Sequence, residues 1–253
     1  MKMMKNVFMT LMVLLLISCN CLTTYAINSG FDLEPVSNER KLQIQNNIDI
    51  SVFEQDVLDN TIECFDVNDD GMIALGTNES SSQKFISIYN SQGVFQYGYQ
   101  FYCNGSFGVE WDSNNLIIYF VRSDIACSVN PSGEIQEILE IKNTSNNNSY
   151  WNNKVFSATR TLGNVEYKIQ NDFGILNIFS TSYSQLVIQD FNGQTKTIYD
   201  VNSQQLYKLI FEIVCILLFV PICFFTLRKS FSTNQGTVPK QSGDGSLIDN
   251  SNN

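Results

Sequence analysis

Three parts of this 253-residue sequence share one pattern, a short strand of alternating apolar residues that runs into a turn of Asn, Asp and Gly. These segments are residues 64–71, 109–115 and 166–174. An apolar run follows each, at 72–75, 116–121 and 175–179, and a second turn comes at 90–93, 130–133 and 191–193. The first turns, centred at 70, 114 and 173, are 44 and 59 residues apart. A period of this size predicts one supersecondary unit repeated three times.

Each unit is predicted to contain four strands, which in the first unit are residues 64–67, 72–75, 85–89 and 94–101. The inner strands are nearly continuous in apolar residues, which is typical of strands buried on both faces. The fourth strand alternates, so one of its faces meets water. Strands that become more exposed outward resemble the blades of extracytoplasmic β-propeller proteins, whose repeats are about 40–45 residues long. The resemblance covers 61–201 and implies an all-β domain of propeller-like four-stranded blades.

Only three blades are recognisable, whereas closed propellers have about four to eight. Residues 27–60 form an N-terminal extension that offers one or two further strands, at 42–50 and 51–57. These strands would complete a fourth blade, or the sheets would stay open and be capped, or two chains would complete one another as a homodimer. A β-sandwich or an irregular barrel of about a dozen strands is the alternative fold.

The first 26 residues have the composition of a signal peptide. Lys2 and Lys5 precede an apolar run at 7–17 that is too short to span a bilayer. Small residues suit signal-peptidase cleavage after Ala26. Alternatively, the four residues that end at Cys19 resemble a bacterial lipobox, and Cys19 would then be lipidated. Either form of processing predicts an exported protein of the bacterial cell surface.

A second apolar stretch, at 209–227, carries one charge, Glu212, and is long enough to cross a bilayer as a helix. Arg228 and the lysine after it predict that the chain beyond this stretch stays inside, by the positive-inside rule. The predicted transmembrane helix is residues 207–228, and 229–253 would be a disordered cytoplasmic tail. The predicted location is the cell membrane, in a single-pass type I topology with most of the chain outside.

The predicted outer part of the chain is strongly acidic. Residues 27–206 hold 9 Lys and Arg against 22 Asp and Glu, a net charge of −13, and the whole chain has a net charge of −10 and no His. An acidic surface argues against nucleic-acid binding, which needs a basic face. The lack of His excludes Ser-His-Asp and Cys-His catalysis. Such acidity attracts divalent cations or basic partners, or simply keeps an exported domain soluble.

One turn resembles part of a calcium site. Asp66, Asn68 and Asp70 match the first half of an EF-hand loop, but the twelfth position, where a bidentate Glu belongs, is Thr77. We therefore expect a plain hairpin turn, with a calcium site on Asp66, Asn68 and Asp70 as the alternative. The sequence predicts no cofactor.

Four residues are candidates for ligand recognition. Trp111 and Arg122 lie on neighbouring predicted strands, and such pairs serve sugar or peptide recognition, although core packing and a surface ion pair explain them equally. Tyr150 and Trp151 belong to the polar insert at 143–153, a predicted loop of the kind that often carries recognition.

Two carboxylates are candidates for catalysis. Glu110 and Asp112 are two residues apart in a predicted strand, so both side chains point to one face. A carboxylate pair can cleave glycosidic bonds, whereas a solvated or hydrogen-bonded acidic pair is the plainer interpretation.

Three cysteines fall in the predicted outer domain, Cys64, Cys103 and Cys127. All three lie in apolar, strand-like contexts, where a free cysteine behaves as a small buried hydrophobic residue. Buried free thiols are therefore the first prediction, and a Cys64–Cys103 disulfide is the alternative.

These observations predict a membrane-anchored binding module without chemistry of its own. Its partners would be the lipid bilayer, through the C-terminal helix, and an envelope protein or a glycan outside the cell. Two alternatives remain open: an enzyme that cleaves glycans with a carboxylate pair, and a receptor subunit that signals through a partner.

Overall fold

The computed structural model of the protein describes residues 27–79, 82–180 and 182–234. The predicted signal peptide, with the lipidation candidate Cys19, and most of the predicted tail lie outside these residues. The chain divides into two compact units, with the boundary between Gln205 and Leu206. The described strands all belong to the first unit, and the second unit contains most of the C-terminal helix.

The described part of the chain contains fourteen strands and three α-helices, numbered here in chain order. The strands are β1 (Leu33–Pro35), β2 (Ser51–Phe53), β3 (Thr61–Val67), β4 (Ile73–Asn78), β5 (Gln83–Tyr89), β6 (Phe95–Tyr102), β7 (Phe107–Asp112), β8 (Asn115–Phe120), β9 (Ile125–Val129), β10 (Ile135–Ile141), β11 (Thr159–Leu162), β12 (Val165–Gln170), β13 (Gln185–Gln189) and β14 (Thr195–Asp200). The α-helices are α1 (Asn38–Asn47), α2 (Ser145–Tyr150) and α3 (Asn202–Asn234). Two 3-10 helices (Val121–Ser123 and Gly174–Phe179) and a π-helical segment (Trp151–Val155) complete the described elements.

The described strands form three antiparallel sheets. Sheet I has the order β2-β6-β5-β4-β3, sheet II the order β1-β10-β9-β8-β7, and sheet III the order β11-β12-β13-β14. Each sheet contains four consecutive strands in a meander, and β2 and β1 extend sheets I and II at their outer edges. No barrel is closed among the residues that the structure describes. The prediction of a mostly β chain with a C-terminal apolar helix is confirmed.

Asn side chains shape the turns that the sequence marks. The Oδ1 atom of Asn68 accepts hydrogen bonds from the backbone N–H groups of Asp70 (3.0 Å) and Met72 (2.8 Å). Asn90 and Asn130 repeat this arrangement in the turns that follow β5 and β9. Each turn then needs a residue with positive φ, which glycine adopts without strain, and Gly71 supplies it at φ 77°.

The N-terminal extension differs from its prediction. Residues 42–50, expected as a strand, lie largely in helix α1, because Ser37 caps that helix by accepting a hydrogen bond from the backbone N–H of Arg40. Strand β2 lies within the predicted strand at 51–57. The two strands of the extension add to existing sheets, so they do not build a fourth sheet.

The strands of the third unit also differ from those predicted from the sequence repeat. The apolar run at 175–179, expected as a buried strand, is the 3-10 helix Gly174–Phe179, and it is exposed. The backbone turns here because Gly174 has φ 58° and the Asn177 side chain accepts a hydrogen bond from the N–H of Phe173. Sheet III instead begins at β11, one strand earlier in the chain than the alignment places it.

Sheet I lies between the other two sheets, in a sandwich-like arrangement, because it is apolar on both faces. On β4, Ala74 packs in a core shared with sheet II, while Ile73 and Leu75 pack in a core shared with sheet III. A third core lies on the other face of sheet II, against Phe31 and the helical segment that ends at Val155. The continuous apolar strands of sheets I and II are therefore buried on both faces, as predicted, whereas the third apolar run, at 175–179, is not.

Helix α3 carries the second apolar stretch. Its window Asn202–Pro221 has 20 residues and a mean hydropathy of 1.6, and none of it is buried inside the protein. Among the described residues, α3 is the one helix long and apolar enough to cross a membrane.

Candidate functional site

One buried carboxylate joins strands from all three sheets. Asp66 of β3 is only 3% exposed. It accepts a hydrogen bond from the backbone N–H of Trp111 on β7 (2.9 Å) and another from the Arg160 Nε atom on β11 (2.8 Å). The other guanidinium N–H groups of Arg160 donate to four backbone carbonyls, among them that of Phe65 (3.0 Å). Both charges of this ion pair are thus hydrogen-bonded, as buried charges require.

Glu63 repeats this arrangement nearer the start of β3. Its carboxylate accepts a hydrogen bond from the backbone N–H of Phe107 (2.9 Å), the first residue of β7. The buried ammonium group of Lys84 lies 3.4 Å from Glu63 and donates to the Asn78 side chain. Acidic side chains of β3 therefore hold β7 at two points along its length.

An acidic cleft opens beside Asp66. It has a volume of about 310 Å³, and its lining includes Asp66, Asp69, Asp70, Glu110, Trp111 and Lys154. Asp69 and Asp70 are exposed at the β3–β4 turn, and the Lys154 ammonium group lies 3.5 Å from Asp66. Four carboxylates against one lysine give the lining a net negative charge. The indole Nε1 of Trp111 is buried and has no hydrogen-bond partner among the described residues.

Glu110 lies between two tyrosines at the same cleft. The hydroxyl groups of Tyr119 and Tyr150 each donate a hydrogen bond of 2.5 Å to its carboxylate. Burial, together with the negative charge of Glu110, raises the pKa of both tyrosines well above the usual range, so both hydroxyls stay protonated. Asp112 accepts a hydrogen bond from the backbone N–H of Asn28 (3.0 Å). Each carboxylate of the predicted catalytic pair is therefore hydrogen-bonded to another segment of the protein.

Three of the four predicted recognition residues come together near this cleft. Trp111 lines the cleft, Tyr150 reaches Glu110, and Trp151 packs its ring 5.6 Å from that of Tyr119. The predicted loop that carries Tyr150 and Trp151 is largely α2 and the π-helical segment. Arg122 lies apart, because it follows the far end of β8, whereas Trp111 pairs with a residue at the start of that strand.

Arg122 lines a second cavity, of about 540 Å³, with Ile44, Ile48 and Phe120. Cys103 also borders it, and burial raises the pKa of its thiol to about 11. Cys64 and Cys127 are buried, Cys103 is half-buried, and all three are free, so the predicted buried thiols are confirmed for Cys64 and Cys127. The alternative, a Cys64–Cys103 disulfide, is wrong.

The half EF-hand is a turn that belongs to the fold. Asn68 binds backbone N–H groups of its own turn, and Asp66 binds Trp111 and Arg160. No group of three or more His, Cys, Asp or Glu side chains placed to hold a metal occurs in the described part of the chain.

Arg160 and Lys154, the two cations beside Asp66, could not be predicted from the sequence. They lie 94 and 88 residues from Asp66 along the chain. Neither belongs to a motif, so only the packing of the sheets brings them to this carboxylate.

The chain matches no protein-family model, no curated protein and no solved structure.

Proposed function

We propose that this protein is anchored in the cell membrane by one helix, and that its β-sheet unit lies outside and binds a basic segment of a partner protein. The acidic cleft is the observation that carries the proposal, because four carboxylates line a space of about 310 Å³ and the two cations beside it, Lys154 and Arg160, both pair with Asp66. The apolar, unburied helix α3 supports the membrane anchor. The type I orientation rests on the basic pair that starts at Arg228.

The finer architecture that we propose is an open, three-bladed, propeller-like arrangement. Strands β3, β7 and β11 are the first strands of the three four-stranded meanders, and β3 contacts both of the others. Asp66 bonds to a residue on each of those two neighbours. Innermost strands that meet in this way would form a central axis, and the acidic cleft lies where two of these strands end. In this arrangement the basic segment of the partner would bind at the end of the central axis, where the acidic cleft lies.

The geometry supports binding over catalysis. Glu110 accepts two tyrosine hydrogen bonds, and Asp66 is engaged by Arg160 and Trp111. A general base must be able to take a proton from the substrate, whereas these carboxylates already have protein partners. Asp69 and Asp70 remain at the rim, where they can attract a cation. A lysine or arginine of the partner would place its charge between the carboxylates and its aliphatic stem against Trp111.

A charge-matched pair of variants tests this site. We expect Asp69→Asn/Asp70→Asn to weaken the binding of a pentalysine peptide by about 5- to 30-fold, because each lost carboxylate contributes about 0.5–1 kcal/mol at an exposed position. The full-length protein in zwitterionic nanodiscs is titrated with the peptide, and the Trp fluorescence is recorded. Trp111 lines the cleft, so its emission reports occupancy directly.

Asp49→Asn/Glu54→Gln is the control, since it removes two exposed carboxylates outside the cleft and changes the net charge equally. We expect its Kd to stay within about twofold of the unmodified protein. Equal weakening by both variants would show nonspecific attraction to an acidic surface and would contradict the proposed site. So would an absence of peptide binding at low ionic strength.

A further inference from the structure

The connection between β12 and β13 exposes large apolar side chains. Ile175 is 87% exposed, Ile178 82% and Phe179 58%, all in the 3-10 helix Gly174–Phe179. No charged residue occurs from 173 to 189, in a unit that is otherwise strongly acidic. Exposed apolar groups clustered in this way mark an interaction site on a soluble surface. We call residues 174–179 the apolar loop.

Hydrogen bonds give the apolar loop a defined backbone conformation, in which its large apolar side chains are exposed. Asn177 accepts a hydrogen bond from the backbone N–H of Phe173 (2.9 Å), whose own side chain is buried. The Asn171 side chain closes the base of the loop by donating to Ser180 (3.1 Å) and to the carbonyl of Ser182 (2.7 Å). These hydrogen bonds hold the backbone of the loop in the conformation that exposes its apolar side chains.

The base of the apolar loop is bonded to the residue at which α3 begins. The Asn202 side chain accepts a hydrogen bond from the N–H of Asp172 (2.9 Å) and donates to the Asp172 carbonyl (3.0 Å). It also accepts one from the Ser184 hydroxyl (2.8 Å). The long apolar stretch starts seven residues later, at Leu209, which is about 10 Å of helix. The headgroup layer of one leaflet is about 5–7 Å thick, so this length of chain allows the loop base to reach the membrane surface.

We propose that the apolar loop is a second membrane contact, which inserts Ile175, Ile178 and Phe179 into the outer leaflet of the bilayer that α3 crosses. The inference rests on the membrane anchor of the proposed function, and not on the acidic cleft. Lipid is the occupant that fits, because the loop offers apolar and aromatic surface without a charge to fix a protein partner. The acidity of the remaining unit, −13 over 27–206, disfavours contact with an anionic lipid surface elsewhere.

The test places a fluorescent reporter on the apolar loop. Ile178→Trp is made in the full-length protein, which is reconstituted in nanodiscs of phosphatidylcholine with or without bromine on the upper acyl chain. Bromine quenches an indole that enters the acyl region, so we expect at least about a twofold loss of the added emission, since interfacial apolar groups lie about 5–10 Å deep. The emission of the unmodified protein, which contains Trp111 and Trp151, is subtracted. Phe179→Trp is a second reporter on the same loop.

Phe191→Trp is the matched control, because Phe191 is 75% exposed in the same sheet, in the turn at the opposite end of β13. We expect no quenching of its added emission by brominated lipid. Equal emission of the Ile178→Trp variant in the two lipids would overturn the inference, and so would equal quenching of the Ile178→Trp and Phe191→Trp variants. Failure of the protein to enter nanodiscs at all would instead contradict the membrane anchor itself.

Discussion

Replacing Asp66 by alanine should lower the free energy of unfolding by about 3–5 kcal/mol, because the Arg160 guanidinium would be left buried without its counter-charge. The backbone N–H of Trp111 loses its acceptor in the same variant. Unfolding of the full-length protein in a mild detergent, followed by Trp fluorescence against urea concentration, measures the change. Trp111 is hydrogen-bonded to Asp66, and Trp151 packs against Tyr119, which binds Glu110. The emission of both tryptophans therefore reports unfolding of the region in which the three sheets meet.

Glu140→Ala is the matched control, because it breaks a partly exposed ion pair with Arg40, in which the side chains of Arg40 and Glu140 are 42% and 31% exposed. We expect this control to lower the free energy of unfolding by no more than about 1 kcal/mol. Asp66→Ala/Arg160→Leu removes both buried charges and should destabilise the protein less than the sum of the two single variants. If Asp66→Ala is no more destabilising than Glu140→Ala, the three sheets are not held together at this carboxylate.

Phe107→Ala should lower the free energy of unfolding by a similar amount, about 3–5 kcal/mol, because it leaves a cavity in the core between sheets I and II. The Phe107 ring is fully buried and lies 5.3 Å from that of Phe101, and a Cβ atom added at Gly76 would come within 2.9 Å of it. The ring therefore fills space that glycine leaves open on β4. The same urea titration measures this loss.

Phe191→Ala is the control for Phe107→Ala, since Phe191 is 75% exposed. We expect it to change the free energy of unfolding by no more than about 0.5 kcal/mol. Phe107→Leu keeps most of the apolar volume and should lose less than about half of what Phe107→Ala loses. Similar losses for Phe107→Ala and Phe191→Ala would contradict the packing of sheet I against sheet II.

Local patterns in the sequence predict sheets I and II well, because their strands are strongly apolar and turns that contain both Asn and Gly follow β3, β5 and β9. Strands β3 to β6 lie within three residues of their predicted bounds. Prediction fails where an apolar run competes with a local turn or helix-capping signal. The run at 175–179 is as apolar as a buried strand, yet hydrogen bonds of Asn177 and the positive φ of Gly174 turn it outward. Helix α1 forms where a strand was predicted, and Ser37 caps its first turn.

The candidate site was predictable only in part. Asp66, Asp69 and Asp70 are neighbours in one turn, so the acidic end of β3 is visible in the sequence. Asp66 contacts Trp111, Lys154 and Arg160, which are 45, 88 and 94 residues away in the sequence. Sequence spacing does not predict these contacts. Tyr150 was expected in a recognition loop, and it lies in a helix with its hydroxyl on Glu110. Only the assembled sheets reveal which acidic groups are paired and which remain free at the rim.

Both the proposed binding and the proposed membrane contact require the three sheets to lie outside the membrane. Labelling of intact cells with a membrane-impermeant maleimide at pH 7 tests this location, using Ser132→Cys in the exposed β9–β10 turn and Ser242→Cys in the tail. The native cysteines of the β-sheet unit give a low background, since Cys64 and Cys127 are buried and burial raises the pKa of the Cys103 thiol to about 11. The unmodified protein, which keeps all its native cysteines, is labelled in parallel and its signal is subtracted. We predict labelling of the Ser132→Cys variant in intact cells and of the Ser242→Cys variant only after lysis. Labelling of the Ser242→Cys variant in intact cells, with the Ser132→Cys variant protected until lysis, would contradict an extracytoplasmic β-sheet unit.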